Sequence, residues 1–386
     1  MALSHSPSII TNGLVYYHDM GNTLKSWKGA PATNLYTDGD YSSGALHPVR
    51  SGTWAIVEDP RDSTKKVLKA TPSASNQYHG KDITSVVSTL YSLQMQIYVS
   101  TDFNGTLVSM YPEQGGSGAA RYYDLTKKGT WQSLKYDGIS ASTTNIRMLA
   151  YVLSAFTTGY VLISNTGVEQ NAFATPFVAG TRSNTQAIVD LRNTNTVTAN
   201  LTYASDNTFS FDYTLPGYIS VPLSTAFNKT EGTMNFWLYP TRYNGGNGYF
   251  VNREDATANA TDWFWIGPYS DTFYFRIGNG TDCCSNDLSF GSVSTVIPLN
   301  NWINMCFTWK ANGTSVIYKN GVLHTSRAIG NIPNTNPAAN GRLGLGHGNL
   351  DSYFNGKMPI AQIYNRQFTA AEVLQNFNAL RGRYGV

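Results

Sequence analysis

Short stretches rich in Val, Ile, Tyr and Phe follow one another along almost the whole chain, separated by turn-forming Gly, Asn, Asp and Ser residues. In the stretch SLQMQIYVS, Met95, Ile97 and Val99 alternate with other residues, which indicates a strand with one face in a core. Charged residues make up only 13% of the chain, whereas the hydrophobic share of 41% is enough for a core. The pattern predicts an all-β fold of sandwich or jelly-roll type and excludes a disordered chain.

The length of 386 residues is enough for about two domains. Residues 172–186 have no clean period and contain Pro176 and Gly180, so we interpret them as the connection between two β regions. The resulting division is an N-terminal segment, 1–35, a jelly-roll domain, 36–183, and a second β-sandwich domain, 184–386.

Two local signals in the second region are specific. Asn320-Gly321 separates SVIYK from VLHTS and predicts a hairpin with a two-residue turn. Thr369 followed by Glu372 has the spacing of a capping box, which predicts one short C-terminal helix over 369–380.

The net charge of +3 and the absence of a basic run argue against a nucleic-acid partner. The opening residues lack the basic and long apolar segments of a signal peptide, and no apolar stretch approaches ~18 residues. We therefore expect no membrane insertion. If the protein reaches an exterior surface, we expect it to do so by assembly and not by ordinary secretion.

The order of motifs in the second region resembles a known family. FWLYP at 236–240, WINMCF at 302–307, the hairpin IYKNGVL, the stretch GRLGLG and the ending FNGKMPIAQIYNRQFTAAEV follow one another. In this order they resemble the concanavalin A-like lectin/glucanase fold in its laminin-G-like form. The resemblance implies that the second region is a lectin-like β-sandwich.

Two further resemblances concern the rest of the chain. The stretch YVLISNTGVEQNAFATPFVAGTRS resembles the closing strand of jelly-roll carbohydrate-binding modules in phage proteins. The opening HSPSIITNGLVYYHDMGN and the end NFNALRGRYGV resemble structural proteins of tailed bacteriophages. They imply a capsid-fibre, decoration or tail protein on the virion surface. The implied partners are other virion proteins and further copies of the same chain in a homo-oligomer. Host-surface polysaccharide is the implied ligand, and a purely structural virion component is the alternative.

The N-terminal motif NGLVYYHD, at 12–19, lies far from the motifs that accompany it in laminin-G-like phage domains. Those motifs, IVDLRN and FSFDYTLPGYISVP, lie at 188–193 and 209–222. One interpretation is that residues 12–19 supply the first strand of the second sandwich and that the jelly roll is inserted. The other is a free N-terminal arm.

Paired carboxylates of the kind that hydrolases use are not evident. Glu58-Asp59 and Glu254-Asp255 are adjacent pairs, whose side chains point to opposite faces of a strand. We therefore expect no enzyme activity, and a glycan hydrolase is the weakest alternative. Related domains hold Ca²⁺ with loop oxygens, which makes Asp271, Asp282 and Asp287 candidate ligands; turn-forming Asp is the alternative.

Exposed aromatic rings are the clearest candidates for glycan binding, because their faces can pack against the apolar faces of sugars. The candidates lie in three clusters, which are Trp263, Trp265 and Tyr269; Tyr243 and Tyr249; and Tyr122, Tyr123 and Trp131. The alternative is that these rings fill the sandwich cores.

The three cysteines are too few for a disulfide framework. Adjacent Cys283 and Cys284 have Cα atoms about 3.8 Å apart, which is below the usual disulfide span. Cys306 lies in an apolar strand pattern, so we predict three free thiols.

Overall fold

A computed structural model gives the fold. It describes residues 7–114, 119–192, 195–203, 209–212, 214, 217–223, 227, 229–243, 248–252, 264–277, 288–332, 340–345 and 353–386. Contacts divide the chain into two compact units. We call Met1–Gly29 with Asn184–Val386 the terminal unit, and Ala30–Ser183 the inserted unit.

The inserted unit contains two antiparallel five-stranded sheets. The front sheet orders the strands Trp131–Ser140, Leu90–Val99, Val161–Glu169, Asp62–Ala70 and Trp54–Asp59. The back sheet orders Val49–Ser51, Gln77–Thr84, Asn145–Leu153, Leu107–Gln114 and Arg121–Tyr122. A strand pair, Ala32–Thr33 with Thr181–Arg182, lies ahead of the predicted start at residue 36 and belongs to the same unit.

Alternation along the strand Leu90–Val99 determines which side chains enter the core of the inserted unit. Met95, Ile97 and Val99 are buried, as the sequence predicts, in one cluster with side chains of the back sheet. Gln96 and Tyr98 point to the other face because successive side chains of a strand alternate. The front sheet therefore has an apolar inner face and a partly exposed outer face.

The terminal unit contains one antiparallel sheet of six strands and one of seven. The six-stranded sheet orders Leu14–Asp19, Gly356–Tyr364, Glu231–Pro240, Ile303–Lys310, Thr314–Lys319 and Val322–Ala328. The seven-stranded sheet orders Thr198–Asn200, Tyr218–Pro222, Asn340–Leu343, Phe250–Asn252, Phe264–Tyr269, Thr272–Ile277 and Leu288–Ser292. Thr202–Tyr203 pairs with Phe209–Ser210. The all-β class with two sandwiches is thus confirmed.

Residues 14–19 form an edge strand of the six-stranded sheet. Leu14 lies opposite Tyr364, and Asp19 lies opposite Ile360. On the other side of this strand, the Leu191 amide donates to the Tyr17 carbonyl at 2.8 Å. The strand is therefore bonded to segments on both sides.

Among the described residues, the helices are Asn184–Ala187, Val293–Val296 and Ala370–Leu380, with 3-10 turns at Leu125–Lys127 and Arg381–Arg383. The capping box of the C-terminal helix is confirmed: the Glu372 amide donates to Thr369, and the Thr369 amide donates to the Glu372 carboxylate. None of the described helices is long and apolar enough to cross a membrane.

The Asn320-Gly321 hairpin is also confirmed, because both residues have positive φ, 50° and 76°. The strand Arg121–Tyr122 is short, because a turn follows it closely. Asp124 accepts from the Thr126 amide and begins the 3-10 turn Leu125–Lys127. Cys306 is buried with a free thiol, whose pKa is raised by burial. Cys283 and Cys284 lie outside the described residues.

Candidate functional site

A row of aromatic rings crosses the outer face of the front sheet. Trp131 and Tyr98 are cross-strand partners with ring centroids 5.6 Å apart. The Tyr98 and Tyr160 rings stack at 6.0 Å with an interplanar angle of 28°. All three side chains are partly exposed. Partial burial, followed by the neighbouring Tyr160, raises the pKa of Tyr98, so its phenol is neutral at physiological pH.

The row carries a cation at each end. The Arg61 guanidinium lies 3.7 Å from the centroid of the Trp131 ring, and the Lys69 ammonium lies 4.7 Å from that of Tyr160. Such contacts are favourable because a cation is attracted to the electron-rich face of an aromatic ring. They hold the ends of the row in defined positions.

Arg61 is the centre of a hydrogen-bond network beside the row. Its Nε donates to Asp59 Oδ1 at 2.9 Å, and its Nη2 donates to Asp59 Oδ2 at 2.6 Å. It also donates to Gln96 Oε1 at 3.0 Å and to Ser164 Oγ at 2.9 Å. The hydrogen bonds that Arg61 donates to Asp59 lower the pKa of Asp59, and therefore the carboxylate stays ionised at neutral pH.

Asn165 completes the network from a bulge in its strand. The register against Leu90–Val99 shifts between Ser164 and Gly167, and Asn165 adopts φ 51°, which Asn tolerates better than most residues. In this position the Asn165 side-chain amide donates to Gln96 Oε1 at 3.0 Å. The bulge thus directs an amide towards the same glutamine that Arg61 holds.

A cleft of about 790 Å³ lies over this network. Its wall is predominantly polar, and it is lined by Asp40, Ser42, Asp59, Arg61, Asp62, Thr64, Lys65, Lys66, Gln96, Ser164, Asn165, Phe177 and Ala179. Arg61 lies both in the wall and over Trp131. The cleft therefore offers ordered hydrogen-bonding groups to a ligand, and Arg61 connects its wall to the Trp131 end of the aromatic row.

In the inserted unit, the structure separates the predicted glycan-binding residues. Trp131 lies in the aromatic row. Tyr122 is 59% exposed but lies on the back sheet. Tyr123 is buried, and its hydroxyl donates to the carbonyls of Lys127 and Thr130. The prediction that the Tyr123 ring binds glycan is wrong, because this ring packs in the core of the inserted unit.

In the terminal unit, two predicted platform residues are buried as well. Trp265 is 0% exposed and Tyr249 is 2% exposed, so neither ring has a face available to a ligand. Tyr243 is half-buried against the core, and its hydroxyl donates to the Ile297 carbonyl. Tyr269 remains 43% exposed, with the Arg276 guanidinium 5.0 Å from its ring centroid. Trp263 lies outside the described residues.

The candidate calcium ligands are not brought together in the part of the chain that the structure describes. Asp271 accepts hydrogen bonds from the Ser292 hydroxyl at 3.0 and 3.1 Å. Asp282 and Asp287 lie outside the described residues. Among the described residues, no three His, Cys, Asp or Glu side chains form a group that could hold a metal ion.

Sequence reasoning missed Tyr98, Tyr160, Arg61 and Gln96. The signal for two of them was present in MQIYVS, since the inward alternation of Met95, Ile97 and Val99 requires Gln96 and Tyr98 to face outward. The roles of Tyr160 and Arg61 depend on contacts between strands that are distant in the chain.

Comparison with known proteins gives a match in the terminal unit. Residues 212–374 match the family model Laminin_G_3, described as the Concanavalin A-like lectin/glucanases superfamily. None of the curated proteins matches the chain.

Among solved structures, the chain is similar to one reported under "Cell entry of botulinum neurotoxin type C is dependent upon interaction with two ganglioside molecules", with 16% identity and a TM-score of 0.39. That match covers 51% of this chain and 50% of the other. The binding domain of Paraclostridial Mosquitocidal Protein 1 has 16% identity and a TM-score of 0.38, covering 50% of this chain and 49% of the other. The chain thus spans about half the length of these structures. On the family match, the C-terminal region of this chain is a laminin-G-like domain of the concanavalin A-like lectin/glucanases superfamily.

Proposed function

We propose that the protein is a carbohydrate-binding adhesion protein and that the outer face of the front sheet is a binding site for glycan. The observation that carries the proposal is the aromatic row Trp131, Tyr98 and Tyr160 beside the Arg61 network. Ligand sites commonly combine apolar and aromatic walls with a few oriented polar groups. The front face has both, in one continuous area.

In this proposal the two kinds of group have different tasks. The rings of Tyr98 and Tyr160 pack against the C–H faces of sugar units. Gln96, Asn165 and Ser164, which line the cleft, exchange hydrogen bonds with sugar hydroxyls. Because Arg61 already holds Gln96 at 3.0 Å, little side-chain ordering remains to be done on binding.

We further propose that this binding is displayed on a phage particle. The support is the resemblance of both chain ends to structural proteins of tailed bacteriophages, together with a lectin-superfamily domain in the same chain. A shallow site binds weakly, but many copies on one particle add their contacts and give useful avidity. Mass spectrometry of purified particles tests this location, and absence of the chain from the particles would contradict it.

The proposal is binding without catalysis. A hydrolase needs one carboxylic acid that can donate a proton and a second carboxylate close by. In the cleft, Asp59 is held ionised by Arg61, and Asp62 is paired with Lys65 at 3.0 Å. Neither is arranged as a proton donor.

The binding test uses the full chain and a panel of soluble polysaccharides in isothermal titration calorimetry. Trp131→Ala and Tyr98→Ala should each lower the affinity by about tenfold or more, which corresponds to ~1.4 kcal/mol. The matched control is Tyr151→Ala, which removes a ring of the back sheet that stacks on Tyr78 at 6.3 Å. The control should bind like the wild type.

Two results would contradict the site. Either no polysaccharide of the panel binds, or the Trp131 and Tyr98 variants bind as well as the wild type while retaining its melting temperature. If Tyr151→Ala alone lost binding, the glycan site would lie on the back sheet and not on the front sheet.

A purely structural virion component is the second candidate, and one observation favours it. Val86 and Val87 are 59% and 48% exposed in the loop that precedes the strand Leu90–Val99, and Leu90, 44% exposed, begins that strand. Exposed apolar groups of this kind often mark contacts with other proteins. Val86→Ser with Val87→Ser should then weaken incorporation into particles, whereas glycan binding by the purified chain should be unchanged.

A further inference from the structure

The ionisable groups of the front-sheet cleft balance one another. Three carboxylates and three cations line it, so their formal charges cancel at neutral pH. They are Asp40, Asp59, Asp62, Arg61, Lys65 and Lys66. The cleft is therefore rich in charged groups but has no net charge.

Most of these charges are also paired in space. Arg61 binds Asp59 through two nitrogens, at 2.9 and 2.6 Å, and Lys65 lies 3.0 Å from Asp62. Asp59 is only 4% exposed, whereas Arg61 is 38% exposed, so the buried carboxylate permanently neutralises the more accessible guanidinium. The Lys66 ammonium lies 3.5 Å from the Ser42 carbonyl.

We propose that this cleft binds a neutral polysaccharide and discriminates against uronate-containing and sulfated glycans. The inference rests on the proposed function, since it specifies the ligand class of the same site. An anionic group approaching Arg61 would have to compete with Asp59, which is already fixed in a bidentate pair. Hydroxyl groups need no such displacement, because Gln96, Asn165 and Ser164 offer donors and acceptors without net charge.

Lys69 lies outside the cleft lining, at the Tyr160 end of the aromatic row. Its ammonium is directed at the Tyr160 ring, 4.7 Å from the centroid. It adds one positive charge near the row but does not alter the balance in the cleft. We therefore expect the groups at the Arg61 end of the aromatic row to determine the preference for neutral over anionic glycans.

The first test measures affinity against salt for the full chain. Binding of neutral probes (a β-glucan, a mannan and a galactan) should change by less than about twofold between about 50 and 500 mM NaCl, because no ion pair forms with the ligand. Polygalacturonate, alginate and dextran sulfate should bind at least about tenfold more weakly than the best neutral probe at the higher salt concentration.

The second test changes the charge of the site. Asp59→Asn leaves Arg61 without its counter-ion, so the cleft becomes positive. This variant should bind the neutral probe more weakly and should gain binding of polygalacturonate that disappears at high salt. The matched control is Asp82→Asn, which removes the carboxylate that Arg147 holds at 2.6 Å on the back sheet. The control should leave both affinities unchanged.

The outcomes separate this inference from the proposed function. If the wild type prefers an anionic glycan and Trp131→Ala abolishes that binding, the site stands and the inference is overturned. If the wild type binds no glycan of either class, both fail. Identical ligand preferences in Asp59→Asn and the wild type, with both folded, would also overturn the inference.

Discussion

Arg383 Nη1 donates to Asp19 Oδ2 at 2.6 Å, although the two residues are 364 positions apart. Asp19 is the last residue of the edge strand and is 2% exposed, whereas Arg383 is 48% exposed in the C-terminal 3-10 turn. The same carboxylate accepts from the Tyr17 hydroxyl at 3.1 Å and from the Gly21 amide at 2.8 Å. The first strand and the last turn of the chain are thus joined around one buried carboxylate.

Removal of residues 1–20 should therefore destabilise the terminal unit. Leu14 and Tyr16 are 5% and 0% exposed, and burial of such side chains contributes ~1.5–3 kcal/mol each. The deletion also uncovers the hydrogen-bonding edge of the strand Gly356–Tyr364, which favours aggregation. Differential scanning calorimetry should show a lower transition for the terminal unit and an unchanged one for the inserted unit. If the full chain and the chain without residues 1–20 showed the same transition for the terminal unit, this strand would contribute nothing to its stability.

Arg383→Ala isolates the ion pair from the packing. It leaves Asp19 buried without a cation; a buried neutral group deprived of its partner costs ~1–3 kcal/mol, and a buried carboxylate costs more. The control is Lys65→Ala, which removes an ion pair whose side chains are 70% and 38% exposed and should cost less than about 0.5 kcal/mol. Urea denaturation of the wild type and of both variants measures the loss in the free energy of unfolding that each substitution causes. Equal costs would mean that Asp19 does not need its cation.

Gly321→Ala should destabilise the terminal unit for two reasons. Gly321 has φ 76°, and an added Cβ would lie 2.8 Å from a ring carbon of Phe377. Positive φ in a non-glycine residue and a contact this short together cost upward of ~1 kcal/mol. The control is Gly180→Ala, where a Cβ would meet nothing within 4 Å. A melting temperature as high as that of the wild type would show that the hairpin shifts freely against the helix.

The sequence was most informative where the signal is local. Alternation around Ile97 specified the inner face of a strand, and the Asn320-Gly321 and Thr369–Glu372 patterns specified a turn and a helix start, since each depends on a few neighbouring residues. The aromatic clusters were less reliable. A Trp in a strand looks the same in sequence whether its ring is buried, as in Trp265, or partly exposed, as in Trp131.

The candidate site itself depends on register. Trp131 meets Tyr98 only because two strands pair with that particular alignment, and a shift of one residue would move either ring to the other face. Arg61 reaches Gln96 on the strand of Tyr98 and Ser164 on the neighbouring strand Val161–Glu169. Such contacts depend on long-range pairing, which the sequence does not display.

A buried histidine pair gives the inserted unit a dependence on pH. The His47 and His79 rings lie 5.4 Å apart, and His79 Nε2 accepts from the His47 amide at 3.1 Å. Burial lowers the pKa of both, and that of His79 to about 3, with further lowering of the His79 pKa by His47 and Arg50. The native unit therefore keeps both rings neutral.

Lowering the pH should destabilise the inserted unit below about pH 6.5. In the unfolded chain His79 takes up a proton near 6.5, whereas in the native state it does so only near 3, so the unfolded state binds more protons between these values. The free energy of unfolding should then fall with decreasing pH, by up to ~1.4 kcal/mol per pH unit for each such histidine. His79→Gln retains an acceptor for the His47 amide but cannot be protonated. Urea denaturation at pH 7.5 and 4.5 should show a smaller loss of stability in this variant than in the wild type, and equal losses would mean that His79 is protonated in the native unit without cost.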